Sequence, residues 1–182
     1  MNKLVQLLAP KLYSSSIAEI DLDALQRAGI KCILIDLDNT ILPWRDHDVP
    51  AESCDWIERA LQLGMKMCIA SNTRNPRRLK KIAAGLDVPC LDKVAKPRRR
   101  GLKAAMEMIG GTPENTAMIG DQIFTDILGG NRLALYTILV QPMHEHEFIG
   151  TKFTRLIERP LIRWINERGL LGTKDGQRES EV

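Results

Sequence analysis

The sequence predicts an α/β fold, a three-layer sandwich in which helices cover both faces of a mainly parallel central sheet. Short apolar runs alternate with amphipathic stretches along most of the chain, and the connections between them are short. Strands that alternate with helices in this way form parallel sheets. The length of 182 residues favours one domain over 1–182, with its core at about 28–142.

Each element follows from a local pattern. The first strand is predicted at 30–35, an apolar run that leads into Asp36. A helix is predicted from Pro50 to about Leu63, where Gly64 is suited to end it. Further strands are predicted at 65–70, 88–90, 116–119 and 135–140, and further helices at about 76–84, 98–109 and 124–130.

Composition excludes several classes of protein. The chain is 44% apolar and 27% charged, which is ordinary for a soluble globular protein and excludes a disordered chain or a fibre. No apolar run reaches the roughly 18 residues of a membrane span. Lys3, Gln6 and Pro10 break the first segment, so no secretory signal is expected and the protein is predicted to be cytoplasmic. The four cysteines form no C-x-x-C pair and are predicted to be reduced thiols.

Basic residues are concentrated in one stretch. Residues 74–103 carry 11 of the 26 Lys and Arg residues and only two acidic ones, which gives a local charge of +9. Such a surface attracts phosphates. The stretch holds no aromatic side chain on which bases could stack, so nucleic acid is disfavoured as a partner. A basic face that is merely solvated stays open.

Two flanking segments, at 1–20 and 146–170, have amphipathic patterns. In the first, apolar residues are predicted to share one face of a short helix: Leu4, Leu7, Leu8, Leu12 and Tyr13. In the second, aromatic and aliphatic residues alternate with basic ones. Both patterns fit a helix at a membrane surface, and both equally fit packing against the core. The polar tail at 173–182 is expected to be mobile.

Polar side chains follow four of the predicted strands. Asp36 and Asp38 come after the first, Ser71 after the second, Lys96 after the third and Asp121 after the fourth. Ligands of parallel sheets bind beyond the carboxyl ends of the strands. The sequence therefore predicts a site that joins these residues.

These residue types point to phosphoryl transfer. Carboxylates that meet at one edge repel each other unless a cation lies between them, and hard oxygen ligands suit Mg²⁺. Asp36 can then attack a phosphorus atom, and Asp38 can protonate the leaving oxygen and later activate water. Ser71, Lys96 and the backbone amide of Asn72 are suited to hold phosphoryl oxygens. An Asp-x-Asp pair alone is often only a turn or a cap, so the prediction depends on the combination.

Four segments resemble the motifs of the haloacid dehalogenase superfamily: Asp36-Leu37-Asp38-Asn39-Thr40, Ser71-Asn72, Lys96-Pro97 and Gly120-Asp121-Gln122-Ile123-Phe124-Thr125-Asp126. Members are Mg²⁺-dependent, Rossmann-like phosphatases with an aspartyl-phosphate intermediate. The resemblance, over about 28–142, implies that Asp36 is nucleophile and metal ligand, and that Asp38 is general acid/base and a ligand through its carbonyl. It implies that Asp121 is a side-chain metal ligand and that Asp126 supports the metal site from outside.

The spacing leaves no room for the cap domain with which many members enclose small substrates. The interval from Asp38 to Ser71 accommodates one loop, one helix and one strand, and the 24 residues between Ser71 and Lys96 accommodate a helix and a short strand. The site is therefore expected to be open, as in the uncapped subfamily III. An open site can reach a phosphate on a lipid, a protein or a nucleic acid.

The whole chain, with Pro43-Trp44 after the first motif, resembles the YqeG family of small bacterial phosphatases and the phosphatidylglycerophosphate phosphatases. That resemblance implies hydrolysis of phosphatidylglycerophosphate to phosphatidylglycerol, with an anionic phospholipid at the inner membrane face as partner. The arginines expected around its headgroup are Arg74, Arg77, Arg78, Arg98, Arg99 and Arg100. Two alternatives stay open: a soluble phosphatase of small metabolites, and an RNA- or protein-binding module. The residues indicate no oligomeric state.

Overall fold

The computed structural model describes residues 3–143, which form one six-stranded sheet with helices on both sides. The strands are β1 (Leu12–Ser14), β2 (Cys32–Ile35), β3 (Lys66–Ala70), β4 (Cys90–Leu91), β5 (Thr116–Gly120) and β6 (Tyr136–Val140). Their order is β1-β6-β5-β2-β3-β4, and every neighbouring pair is parallel. The predicted fold class is confirmed, and the predicted strand at 88–90 lies slightly later.

Six α-helices accompany the strands in the described part of the chain: α1 (Lys3–Leu8), α2 (Leu22–Arg27), α3 (Ala51–Gln62), α4 (Pro76–Gly85), α5 (Arg99–Met108) and α6 (Leu128–Asn131). A 3₁₀ turn spans Pro113–Asn115, and a π-helical turn spans Ile123–Ile127. As predicted, α3 begins after Pro50 and ends before Gly64, which has a positive φ of 77°. None of the described helices is long and apolar enough to cross a membrane.

Alternating side chains of the strands build two apolar layers. In β2, Ile33 and Ile35 belong to the cluster that contains residues of α3 and α4, whereas Cys32 and Leu34 belong to the cluster that contains residues of α5. This period of two is what a sheet covered on both faces requires. Since each crossover from β2 to β4 contains a single helix, residues 3–143 include no cap domain.

The N-terminal segment differs from its predicted form. The helix ends at Leu8, and Leu12 and Tyr13 lie in β1, which pairs with β6 at the edge of the sheet. Leu8 is buried in a cluster with residues that follow β5, and the Asn131 side chain donates hydrogen bonds to the carbonyl oxygens of Leu7 and Ala9, each at 2.9 Å. This segment therefore packs on the core, while 146–170 and 173–182 lie outside the described residues.

The last predicted helix also differs. It was expected to end at Gly129-Gly130, but α6 runs through both glycines to Asn131. A Cβ at Gly129 would lie 2.7 Å from Leu102 Cδ1, and one at Gly130 would lie 2.6 Å from Thr137 Cγ2. These glycines allow close packing of α6 on its neighbours rather than marking its end.

The cysteine prediction agrees with the structure. All four cysteines are free, and Cys32 and Cys68 are buried in the sheet. Burial raises the pKa of Cys68 to about 12, and it raises the pKa of Cys32 as well. Both therefore remain protonated and pack as small apolar side chains.

Candidate active site

The candidate site lies where the strand order reverses. β2 has β3 on one side and β5 on the other, so the loops after these strands diverge at one edge of the sheet. A cleft of about 650 Å³ opens there, and its lining includes the predicted residues Asp36, Asp38, Ser71, Asn72 and Lys96. The structure therefore brings together the residues that the sequence places at separate strand ends.

Lys96 is enclosed by two carboxylates. Its ammonium group contacts Asp36 Oδ1, and it lies 2.7 Å from Asp126 Oδ1. Only 2% of the Lys96 side chain and 1% of the Asp126 side chain are exposed. Burial alone lowers the pKa of Lys96, but the carboxylates of Asp126 and Asp36 outweigh it and hold that pKa above its ordinary value. Lys96 is therefore a fixed positive charge at the nucleophile candidate.

The side chain of Asn72 holds the backbone of Lys96. Its Nδ2 donates to the Lys96 carbonyl oxygen at 3.1 Å, and the Lys96 N–H donates to its Oδ1 at 2.9 Å. This pair of bonds links the loop after β3 to the loop after β4. Asn72, which was predicted to offer its backbone amide to a phosphate, thus also positions Lys96.

Three acidic residues form a cluster that fits a cation. One carboxylate oxygen from each of Asp36, Asp121 and Asp126 can be chosen so that the three lie within 4.8 Å of one another, and all three residues are buried. Burial and the nearby Asp36 raise the pKa of Asp126 against the opposing effect of Lys96, so negative charge here requires a compensating cation. Hard oxygen donors in this number suit a divalent cation that keeps some water ligands. Asp38 directs its carboxylate elsewhere.

Asp126 is fixed from two sides. The backbone N–H of Gln122 donates to its Oδ2 at 3.1 Å. On the other side its carboxylate lies directly on Gly120, where an added Cβ would overlap it. A glycine at the end of β5 is therefore required for this packing.

A Gly120→Ala exchange is expected to lower the free energy of unfolding by about 1–3 kcal/mol, because the new methyl group overpacks a buried site. It is also expected to reduce activity, since Asp126 and Lys96 must shift. Urea unfolding and phosphate release measure the two effects. Gly85→Ala is the matched control, because no atom lies within 4 Å of a Cβ added there. Equal stability of the two variants would contradict the assigned packing.

Asp38 is paired with an arginine. Arg78 Nη1 donates to Asp38 Oδ1 at 2.8 Å, and Arg78 Nε donates to the Asp46 carbonyl oxygen at 2.6 Å. Burial raises the pKa of Asp38, Arg78 opposes that rise, and the nearby Asp36 adds to it. A carboxyl group with a raised pKa is suited to donate a proton and take it back.

Ser71 begins a chain of bonds that leads to the same arginine. Its Oγ accepts from the Thr73 N–H, Thr73 Oγ1 accepts from the Asn75 N–H, and Asn75 Oδ1 accepts from the Arg78 N–H, each at 3.1 Å. Asn75 thereby caps α4. The loop after β3 is fixed from the end of the strand to the first turn of the helix.

The predicted headgroup arginines occupy four different positions. Arg77 is exposed on α4 and is not among the residues that line the cleft. Arg74 lines the cleft. Arg98, Arg99 and Arg100 are exposed at the start of α5 and are not among the residues that line it. Arg78 also lines the cleft, but its guanidinium group is paired with Asp38 and only 6% of its side chain is exposed.

Trp44 and Arg45 lie at the cleft, in the loop after the first motif. Trp44 is half-buried, its N–H donates to Asn39 Oδ1 at 3.2 Å, and the guanidinium of Arg45 stacks 4.2 Å from the centre of its ring. Trp44 and Arg45 both belong to the lining of the cleft. Asn39 has a positive φ of 63°, a local signal of the tight turn that brings this loop back.

Fold and site together define a hydrolase of the haloacid dehalogenase type, and the sequence of the chain agrees. The sequence model of the family described as "Hydrolase: haloacid dehalogenase-like hydrolase" matches residues 44–133. The cobalt-bound form of deoxy-D-mannose-octulosonate 8-phosphate phosphatase from Haemophilus influenzae has the same fold. The match has a TM-score of 0.52 and 15% identity, and covers 80% of this chain and 95% of that one.

Two proteins of named activity are similar in sequence to this chain over most of its length. "Probable phosphatase YqeG" of Bacillus subtilis (strain 168) is 32% identical over 88% of this chain and 92% of its own length. "Phosphatidylglycerophosphate phosphatase 1, chloroplastic/mitochondrial" of Arabidopsis thaliana is 26% identical over 89% of this chain, which spans 49% of that protein. The chain therefore belongs to the haloacid dehalogenase-like hydrolases, in the YqeG group of phosphatases. Phosphatases of this class generally use a divalent metal, and the acidic cluster is suited to hold one.

Proposed function

We propose that this phosphatase uses Mg²⁺ and an aspartyl-phosphate on Asp36 to convert phosphatidylglycerophosphate to phosphatidylglycerol. The observation that carries the mechanism is the meeting of Asp36, Asp38, Lys96 and Asp121 at one edge of the sheet. The substrate is supported by the open cleft, by the basic residues near it and by the named activity of the Arabidopsis relative.

The first half-reaction transfers the phosphoryl group to the protein. A carboxylate oxygen of Asp36 attacks phosphorus, and the bond between phosphorus and the ester oxygen breaks. The leaving oxygen takes the proton of the Asp38 carboxyl group. Lys96, Ser71 and backbone amides of the loops hold the other phosphoryl oxygens as charge builds on them.

The second half-reaction releases phosphate. The Asp38 carboxylate takes a proton from water, the water oxygen attacks phosphorus, and the bond between phosphorus and Asp36 breaks. Asp36 returns as a carboxylate and Asp38 returns as a carboxyl group, so the cycle closes without any other reactant. The carboxylates of Asp36 and Asp121 would hold Mg²⁺, which would supply charge neutralisation and Lewis acidity.

The basic residues have two roles in this proposal. Arg74, which lines the cleft, meets the lipid headgroup, and the three exposed arginines at the start of α5 face the anionic membrane surface. Each basic residue near such a surface contributes about 1 kcal/mol of attraction, which salt screens. The preference for a lipid substrate is therefore expected to weaken as salt is raised.

Phosphate release from phosphatidylglycerophosphate in mixed micelles, compared with a panel of soluble phosphomonoesters, tests the proposal. We expect a preference for the lipid, loss of all activity in EDTA, and recovery on addition of Mg²⁺ in excess. The Asp36→Asn variant serves as the inactive control. Activity on soluble esters alone would overturn the lipid assignment and favour a phosphatase of small metabolites, and full activity in EDTA would overturn the role of the metal.

A further inference from the structure

Arg78 has no role in the two half-reactions proposed above, although it lies in the active-site cleft. Its side chain is 6% exposed, in a stretch of the chain whose neighbouring Arg77 and Lys80 are exposed. Burying a guanidinium group is unfavourable unless it is paired and hydrogen-bonded. The burial of the Arg78 guanidinium therefore has to be explained by the groups with which it is paired.

The guanidinium group joins two points of one loop. Nη1 binds the carboxylate of Asp38 at 2.8 Å, and Nε binds the backbone carbonyl of Asp46 at 2.6 Å. The Asp38 carboxylate also accepts a hydrogen bond from the backbone N–H of Arg45. The rotamer of Asp38 and the path of the loop after it are thus set together from α4.

The position of Arg78 is itself fixed by the loop after β3. The hydrogen bonds that run from Ser71 through Thr73 and Asn75 hold the backbone N–H of Arg78. On the helix, Arg78 lies on the buried face with Leu79, Ile82 and Ala83. The arginine is therefore a rigid link between the strand end that carries Ser71 and the side chain of Asp38.

Arg78 is not well explained as a device for stability. Within residues 3–143 its second amino group, Nη2, is buried with no hydrogen-bond partner. The Asp38 side chain remains 22% exposed at the cleft and can be solvated without it. An incompletely bonded buried guanidinium costs free energy, so a precise geometry at Asp38 is the better account.

We infer that Arg78 is a positioning residue for proton transfer: it holds the Asp38 carboxyl group where it meets the leaving oxygen and the attacking water. The inference rests on the role proposed above for Asp38 and does not depend on which phosphate ester is the substrate. Lysine would keep the charge but not the planar fork that binds two acceptors at once.

The test compares two leaving groups. An alkyl phosphate needs a proton from the protein as its oxygen leaves, whereas p-nitrophenolate leaves readily without one. In Arg78→Met, kcat/KM for the alkyl ester is expected to fall about 10²-fold, and kcat/KM for p-nitrophenyl phosphate is expected to change little. The alkyl ester is phosphatidylglycerophosphate or glycerol 3-phosphate, whichever the unmodified enzyme hydrolyses faster.

Two controls separate positioning from a general loss of structure. Lys81→Met removes an exposed positive charge from the same helix and is expected to leave kcat/KM unchanged for both esters. Arg78→Lys, compared in the same way, serves where Arg78→Met does not fold, and it is expected to show the same selective loss. An equal fall for both esters in a folded variant would overturn the inference.

A double-mutant cycle with Asp38→Asn completes the test. If Arg78 acts through Asp38, adding Arg78→Met to Asp38→Asn has little further effect on the alkyl ester. Additive losses would overturn the inference while leaving the proposed reaction intact. Unimpaired alkyl ester hydrolysis by Asp38→Asn alone would overturn the role of Asp38, and with it the role of Arg78.

Discussion

Asp36→Asn is expected to reduce phosphate release by about 10⁴-fold or more, because the amide cannot act as the nucleophile of a phosphoryl transfer. The exchange conserves the shape of the side chain. Lys96 keeps its contact with Asp126 at 2.7 Å, so the buried lysine retains a carboxylate partner. The loss is therefore expected to be chemical, with the fold preserved.

Activity and stability are measured on the same preparation. Phosphate release under Mg²⁺ gives the first, and urea unfolding gives the second. Asp55→Asn, which makes the same exchange at an exposed position of α3, is the matched control and is expected to keep full activity. Activity of Asp36→Asn within about tenfold of the unmodified enzyme would show that another group forms the covalent intermediate.

Lys96→Met is expected to impair both activity and stability. It leaves the carboxylates of Asp36 and Asp126 buried near each other without the cation that now separates them. Removing one partner of a buried ion pair lowers the free energy of unfolding by about 3–5 kcal/mol. Phosphate release is expected to fall to background, because a charge that holds the phosphoryl oxygens is lost at the same time.

Magnesium provides a second readout for the same variant. Urea unfolding of Lys96→Met is expected to shift to higher denaturant when Mg²⁺ is added, because a cation bound to the acidic cluster stabilises the folded state. Lys103→Met is the control: its exposed ion pair with Glu107, at 3.6 Å, contributes little. If Lys96→Met were as stable as this control, the buried ion pairs of Lys96 with Asp36 and Asp126 would not have the role assigned to them.

The parallel sheet could be predicted because its central strands are continuous apolar runs. β2 and β3 are buried along nearly their whole length, and their ends lead directly into Asp36 and Ser71. The rule that ligands bind at the carboxyl ends of parallel strands was then enough to join four separate segments into one site.

The edge strand β1 could not be predicted in the same way. It is three residues long, and its pairing with β6 depends on a partner more than 120 positions away. The apolar residues on either side of Pro10 fit one helical face in the sequence. In the fold, Leu8 at the end of α1 is buried in an apolar cluster, whereas Leu12 lies in the edge strand β1 and pairs with β6.

The role of Arg78 was also hidden in the sequence, where it stood in a run of basic residues. The charge of a side chain does not tell whether it faces the core or the solvent. Arg77 and Arg78 can therefore be distinguished only when α4 is placed on the sheet. One signal was available: Arg78 lies four residues before Ile82, on the same face of the helix as the buried residues. The hydrogen bond to Asp38 depends on tertiary structure alone.

The covalent intermediate on Asp36 is the central claim, and chemical trapping tests it most directly. The substrate is p-nitrophenyl phosphate, whose leaving group needs no proton from Asp38, and the enzyme is Asp38→Asn, in which hydrolysis of the intermediate is slow. The reaction is quenched with acid and treated with borohydride, which reduces an acyl-phosphate to an alcohol. Peptide mass spectrometry then locates the reduced residue. We predict homoserine at position 36, formed only when substrate and Mg²⁺ are both present. Reduction at any other residue would contradict the account.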